Sequence, residues 1–158
     1  MKRLFLCIML LLAPLNEAIC QNIIIGDRLP SDVRSRRWLM DIQPEAADFS
    51  CVLFYHSESS VCQDALKHIK TILAAYGAQV NLIIITKERY EDAGATLTQH
   101  LDDHVGIAFD EGGRIFRRIG ISFIPFCVVC DKKRHALWCG NGTMLTTDIM
   151  DKILTTKE

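Results

Sequence analysis

The chain has 158 residues and a mass of 17.9 kDa, enough for one domain with a full core. Hydrophobic residues at 49% and charged residues at 23% exclude a disordered chain, and a net charge of -1 supplies no basic field for nucleic acid or anionic lipid.

Lys2-Arg3 followed by the apolar run Leu4 to Leu12 reads as a secretory signal, because the run is too short to span a bilayer. Ala18 and Cys20 offer small residues for cleavage before Gln21, so residues 1–20 are expected to leave and 21–158 to form the mature domain. Acylation of Cys20 is the alternative, but Glu17 and Ile19 flank it poorly for that. Export to a periplasmic or extracellular space follows, with no membrane span in the mature chain. Cys51, Cys62, Cys127, Cys130 and Cys139 remain. An odd number leaves at least one thiol free or paired outside the chain.

Ile23-Ile24-Ile25 suggests a short strand ending in a turn at Pro30, and Trp38-Leu39-Met40 an apolar patch docked on a sheet. Ser50 to Tyr55 is almost continuously apolar, as expected of a central strand covered on both faces. After a polar turn, Ala65, Leu66, Ile69, Ile72 and Leu73 recur at helical spacing until Gly77. Val80 to Thr86 is a second buried strand, and the strand–helix–strand unit it closes is expected to be parallel and right-handed. Ala93, Leu97 and Leu101 predict a helix within Glu88 to His104, and Val105 to Asp110 a short strand. Arg114 to Gly120 gives one or two helical turns. Phe123 to Asp131 and His135 to Cys139 form a hairpin, and a helix capped by Thr147 ends the chain.

Two stretches carry a resemblance. One is Val52 to Tyr55 followed by Ser59-Ser60-Val61-Cys62 at a helix start; the other is Gly120-Ile121-Ser122-Phe123-Ile124-Pro125-Phe126 before the hairpin. Together they resemble the active-site turn and the proline loop of the thioredoxin superfamily, especially exported TlpA-type redoxins. Ile23-Ile24-Ile25-Gly26-Asp27-Arg28-Leu29-Pro30 is similar to the opening of those proteins. The resemblance implies an α/β fold: a central mixed β-sheet flanked by helices, with a cis Ile124–Pro125 bond facing the turn. It also implies that Pro125, Ile124 and Tyr55 hold a partner, and that no cofactor is needed.

Where the family has Cys-x-x-Cys, this chain has Ser59 and Cys62, so the motif is degenerate. A serine hydroxyl cannot carry electrons, and two-cysteine turnover within the motif is excluded. Cys62 matches the resolving cysteine, and Glu58 replaces the usual tryptophan with a charge that disfavours a thiolate. The leading reading is a thiol-disulfide redox role through Cys62, and two alternatives stay open beside it. Cys62 alone could form mixed disulfides with a protein or small-thiol partner, from its place beside the positive end of a helix dipole. The groove could instead bind an extended peptide without electron transfer. Ser59 with Cys62 also resembles the peroxiredoxin pair, but the proline and the arginine of that motif are missing.

Cys127 and Cys130 lie three apart on a strand and point to opposite faces, so they cannot bridge each other. A zinc site with Cys139 is a remote alternative, and no metal is expected. The family sheet places Cys130 beside Cys51, as packed thiols or as a strained disulfide. It places Cys139 at the active-site end of its strand, where a bond to Cys62 would need the loop to move. His56 stands near the turn as a modulator of Cys62 or as a cap. Asn141-Gly142-Thr143 matches a glycosylation sequon but reads more simply as a turn.

Overall fold

The computed structural model describes residues 23–156. The expected signal segment, residues 1–20, and the acylation alternative at Cys20 lie outside the described residues. The chain opens with a turn rather than the expected strand at Ile23-Ile24-Ile25: Gly26 takes a positive φ of 96°, and the segment bonds to Ala136 and Arg134 instead of entering the sheet. Ile23 is buried and its two neighbours are exposed, so the apolar triplet contributes one anchor.

The first strand is β1 (Arg37–Trp38), an edge piece that brings Trp38 into the core. Next come β2 (Phe49–Tyr55), α1 (Ser60–Leu73) and β3 (Val80–Thr86). Of the fourteen residues in β2 and β3, all but Ser50 are buried, which accounts for their unbroken apolar sequence. On α1, Cys62, Ala65, Leu66, Ile69, Ile72 and Leu73 form the buried stripe. Helix α2 is shorter than its periodicity suggests, Tyr90–Leu97, followed by a single 3-10 turn from Thr98 to His100. Leu101, the third member of the expected apolar face, therefore lies outside it, although it still packs on the core.

After β4 (Val105–Phe109), the buried Asp110 carboxylate accepts the N–H groups of Arg114, Ile115 and Phe116 and so fixes the start of α3 (Arg114–Ile119). Strands β5 (Phe126–Asp131) and β6 (Ala136–Asn141) form the hairpin. In the last helix, α4 (Thr147–Thr155), the cap is Thr146, whose hydroxyl accepts from Ile149; Thr147 is the first helical residue.

The six strands lie in the order β1-β4-β3-β2-β5-β6. β2, β3 and β4 run parallel, and each of the pairs β1–β4, β2–β5 and β5–β6 is antiparallel. One sheet face packs on α1, α2 and α4; the other packs on α3, Trp38 and residues 23–33. Among the described residues, no helix is long and apolar enough to cross a membrane.

The face covered by Trp38 depends on a glycine. A methyl group at Gly106 of β4 would fall 2.8 Å from the Trp38 ring and would also collide with Pro44. Gly106→Ala should therefore overpack this corner and destabilise the chain by about 1–3 kcal/mol in urea unfolding. A loss below 0.5 kcal/mol would mean that Trp38 and Pro44 can move aside.

Candidate functional site

The site lies at the carboxyl ends of the parallel strands, where α/β sheets place their ligand crevices. β2 and β5 pair Phe54 with Phe126, and the next step of that register sets Tyr55 opposite Pro125. On the other side, Tyr55 pairs with Thr86 of β3. The Ile124–Pro125 peptide is cis. Pro125 is buried and its carbonyl accepts the N–H of Gly142, so the proline loop is tied to the end of β6; Ile124 stays partly exposed.

Ser59 is the N-cap of α1. Its hydroxyl accepts the Cys62 N–H at 3.3 Å, and its carbonyl accepts from Gln63 at 3.0 Å. Cys62 occupies the first turn with no solvent exposure, packed in the same cluster as Tyr55 and Leu66. Beside it Val61 is 53% exposed, and across the groove Phe123 is 44% exposed. A pocket of about 120 Å³ opens between Tyr55, His56, Lys87 and Phe116 on one side and the loop from Ile121 to Ile124 on the other. Phe116 is held edge-on against Phe54 at 5.0 Å, and the Lys87 ammonium lies 5.0 Å from the Phe116 ring centre.

The sequence reading missed the residue that anchors the turn ahead of α1. Glu88 follows β3 and was expected as the first residue of a helix; its carboxylate instead turns under the turn. It accepts the Ser57 N–H at 2.9 Å, the Ser57 hydroxyl, and the Thr86 hydroxyl at 2.7 Å. Burial opposes ionisation of Glu88, but the hydrogen bonds from Ser57 and Thr86, with the nearby His56, outweigh it and hold the carboxyl below its ordinary range. The sequence signal was positional: Thr86-Lys87-Glu88 ends a buried parallel strand, where side chains reach the crevice. His56 Nδ1 accepts the Glu58 N–H at 3.3 Å and sits 3.6 Å from Glu88, a turn-capping place. The Tyr55 phenol is pushed up, by burial first, with the neighbouring Glu88 carboxylate adding to it.

Two expected thiol relations are corrected. Cys130 pairs with Ser50 and faces the α3 side, while Cys51 faces the α1 side with its sulfur 3.2 Å from that of Cys127. A shift of one residue along a strand exchanges the faces. Cys139 lies in mid-strand opposite Val128, half-buried on the α3 side, so the sheet separates it from Cys62. Cys127 and Cys130 do point to opposite faces. Among the described residues, no three His, Cys, Asp or Glu side chains converge on a metal-sized site.

No protein-family model matches the chain, and no curated protein matches it in sequence. Solved structures do match its fold. A thioredoxin-like protein in its oxidised form superposes with a TM-score of 0.68 at 17% identity, covering 86% of this chain and 100% of that one. The chain has the thioredoxin fold. The thioredoxin domain of a thiol-disulfide oxidoreductase from Bacteroides vulgatus gives 0.65 at 11% identity, over 85% of this chain and 97% of that one. The exposed lipoprotein thioredoxin of Streptococcus pneumoniae gives 0.55 at 16% identity, over 70% and 85%. At such identities the shared property is the thioredoxin fold itself, and this chain's chemistry rests on its own residues.

Acid titration tests the Glu88 anchor. A carboxyl held below its ordinary pKa of about 4.3 stabilises the folded state above that pH, and the contribution is lost as pH falls through the lowered native value. Glu88→Gln should lose on the order of 1–3 kcal/mol at pH 7, with the gap to wild type closing toward pH 3 in urea unfolding. A gap that stays constant over this range would assign the loss to shape rather than charge.

Proposed function

We propose that this protein is an exported thioredoxin-fold module that binds an extended segment of a partner protein between the Ser59–Cys62 turn and Pro125, without electron transfer of its own. One observation carries this reading. The attacking position of the motif holds Ser59, whose hydroxyl is engaged in capping α1, and Cys62 behind it has no solvent exposure. Among the described residues, no exposed thiol faces the groove. What does face it suits an extended chain: the partly exposed Ile124, the exposed Phe123 and Val61, and a pocket sized for a small side chain. Export is supported by the Lys2-Arg3 start and apolar run of the first twenty residues and by the likeness to an exposed lipoprotein thioredoxin.

A single-thiol redox role is the second reading, favoured by the place of Cys62 in the first turn of α1 and by the likeness to a thiol-disulfide oxidoreductase. In that role the partner's disulfide would accept attack from the Cys62 thiolate, releasing one partner thiol, and an external thiol would later resolve the mixed bond. The full burial of Cys62 works against the attack this needs. A peroxidase has less support, since the pocket's cation is Lys87 and not an arginine.

Alkylation from pH 4 to 10, comparing wild type with Cys62→Ser, separates the two. Binding without electron transfer predicts no Cys62-dependent labelling of the native chain below pH 7 and full labelling after denaturation. Labelling of native Cys62 below pH 7 would establish the redox reading instead. In parallel, an unfolded protein with all its thiols carboxymethylated should bind wild type in calorimetric titration and lose at least tenfold in affinity with Phe123→Asp. Absence of binding to wild type would rule out the groove.

A further inference from the structure

Cys51 of β2 and Cys127 of β5 bring their sulfurs to 3.2 Å, and both residues are fully buried. They are diagonal neighbours: Cys51 pairs with Val129 and Leu53 with Cys127, so both side chains point to the α1 face. In a flat ladder such diagonals lie about 7–8 Å apart between Cα atoms, outside the roughly 4.4–6.8 Å that a disulfide spans. Sheet twist shortens one of the two diagonals, and the sulfur contact identifies this as the short one. No other thiol is placed to compete for either of these two sulfurs. Cys130 and Cys139 are on the opposite face, and Cys62 stands beyond Tyr55, four residues or roughly 13 Å up the strand from Cys51.

We propose that Cys51 and Cys127 are a disulfide-forming pair that joins β2 to β5 when the chain folds in the presence of a disulfide oxidant. The thiolate of one cysteine attacks the external disulfide and expels one thiol. The thiolate of the other then attacks the mixed disulfide and expels the second. Overall two protein thiols become one disulfide, and the oxidant is reduced to two thiols. Timing follows from burial. In the folded chain the Cys127 thiol is pushed well above its ordinary range, by its hydrogen bond with Cys51 and by burial, and no small molecule reaches it. Exchange therefore belongs to the folding chain, and the finished bond is shielded from reductants. The bond fastens the strand that leads into the Ser59 turn to the strand that leaves Pro125, so it ties together the two walls of the groove. It requires only an oxidant, and stands whether or not the groove binds peptide.

The test uses the full chain, reduced and unfolded in urea, then refolded with reduced and oxidised glutathione and digested with chymotrypsin without reductant. The peptide Ser50–Phe54 should appear linked to the peptide that begins at Cys127. Tandem fragmentation between Val128 and Val129 should assign the link to Cys127. Cys130→Ala should keep the link and Cys127→Ala should lose it; if the latter does not fold, the wild-type fragmentation map decides alone. The urea midpoint of the linked chain should exceed that of the chain refolded with dithiothreitol. A link at Cys130, Cys62 or Cys139, or a natively refolded chain whose Cys51 is alkylated once unfolded without reductant, would overturn the proposal.

Discussion

The register between β2 and β5 is the constraint on which the rest depends. Pairing Phe54 with Phe126 sets Pro125 against Tyr55 at one end and fixes, by alternation, which side chains share a face along the whole ladder. The same register that assembles the groove also delivers Cys127, and not Cys130, to the face that holds Cys51. Gly142 extends the arrangement beyond the sheet. Its N–H holds the Pro125 carbonyl, and it sits so close to Ile69 and Leu53 that a methyl group would approach each at 3.2–3.3 Å. The proline loop, the end of β6 and the buried side of α1 are thus one packed unit.

Within that unit Ser59 has a structural role of its own. Serine is among the best N-cap residues, and the Ser59 hydroxyl satisfies an otherwise orphaned N–H, that of Cys62. Glu88 supports the same turn from below by accepting from Ser57, and Gln63 grips the Ser57 carbonyl at 2.6 Å. A turn held from both sides has little freedom to swing Cys62 outward.

Much of the fold was legible because its strongest signals are local. The continuous apolar runs of β2 and β3, the stripe on α1 and the proline preceding a hairpin each need only a few neighbouring residues to be read. The misses came where tertiary partners decide. Ile23-Ile24-Ile25 has strand propensity, but Ile24 exchanges hydrogen bonds with Asp27 in a turn, and it is Gly26, Asp27 and Leu29 that bond to Ala136 and Arg134. Glu88 looked like a helix start because nothing in its neighbourhood shows that Ser57, thirty-one residues earlier, would donate to it. For Cys51, the register that sets Tyr55 against Pro125 also sets Val129 opposite Cys51. Taking the adjacent Cys130 as its neighbour ignored that one residue of displacement reverses the face. Of the site residues, Ser59, Cys62, Tyr55, Ile124 and Pro125 do converge at one end of the sheet. The role of Cys62 was not legible, because burial of a thiol depends on everything packed over it.

The sheet also resolves what an odd cysteine count means here. It divides the five thiols into Cys51, Cys62 and Cys127 on the α1 side and Cys130 and Cys139 on the other. Thiols on opposite faces cannot meet without unfolding, so any bond within the native chain must form on one face. On the α3 side, Cys130 pairs with Ala136 and Cys139 with Val128, and Cys139 is directed toward the Ile23 carbonyl at 3.8 Å, a contact that occupies its thiol away from Cys130. On the α1 side, Cys51 and Cys127 already touch. Cys62 is then the thiol with no partner on its own face, and it is also the one placed at the groove. With serine at position 59, Cys62 has no thiol three residues away and lies fully buried behind the cap. The cap that holds Ser59 to Cys62 therefore serves two ends at once: it completes α1, and it keeps the unpaired sulfur inside.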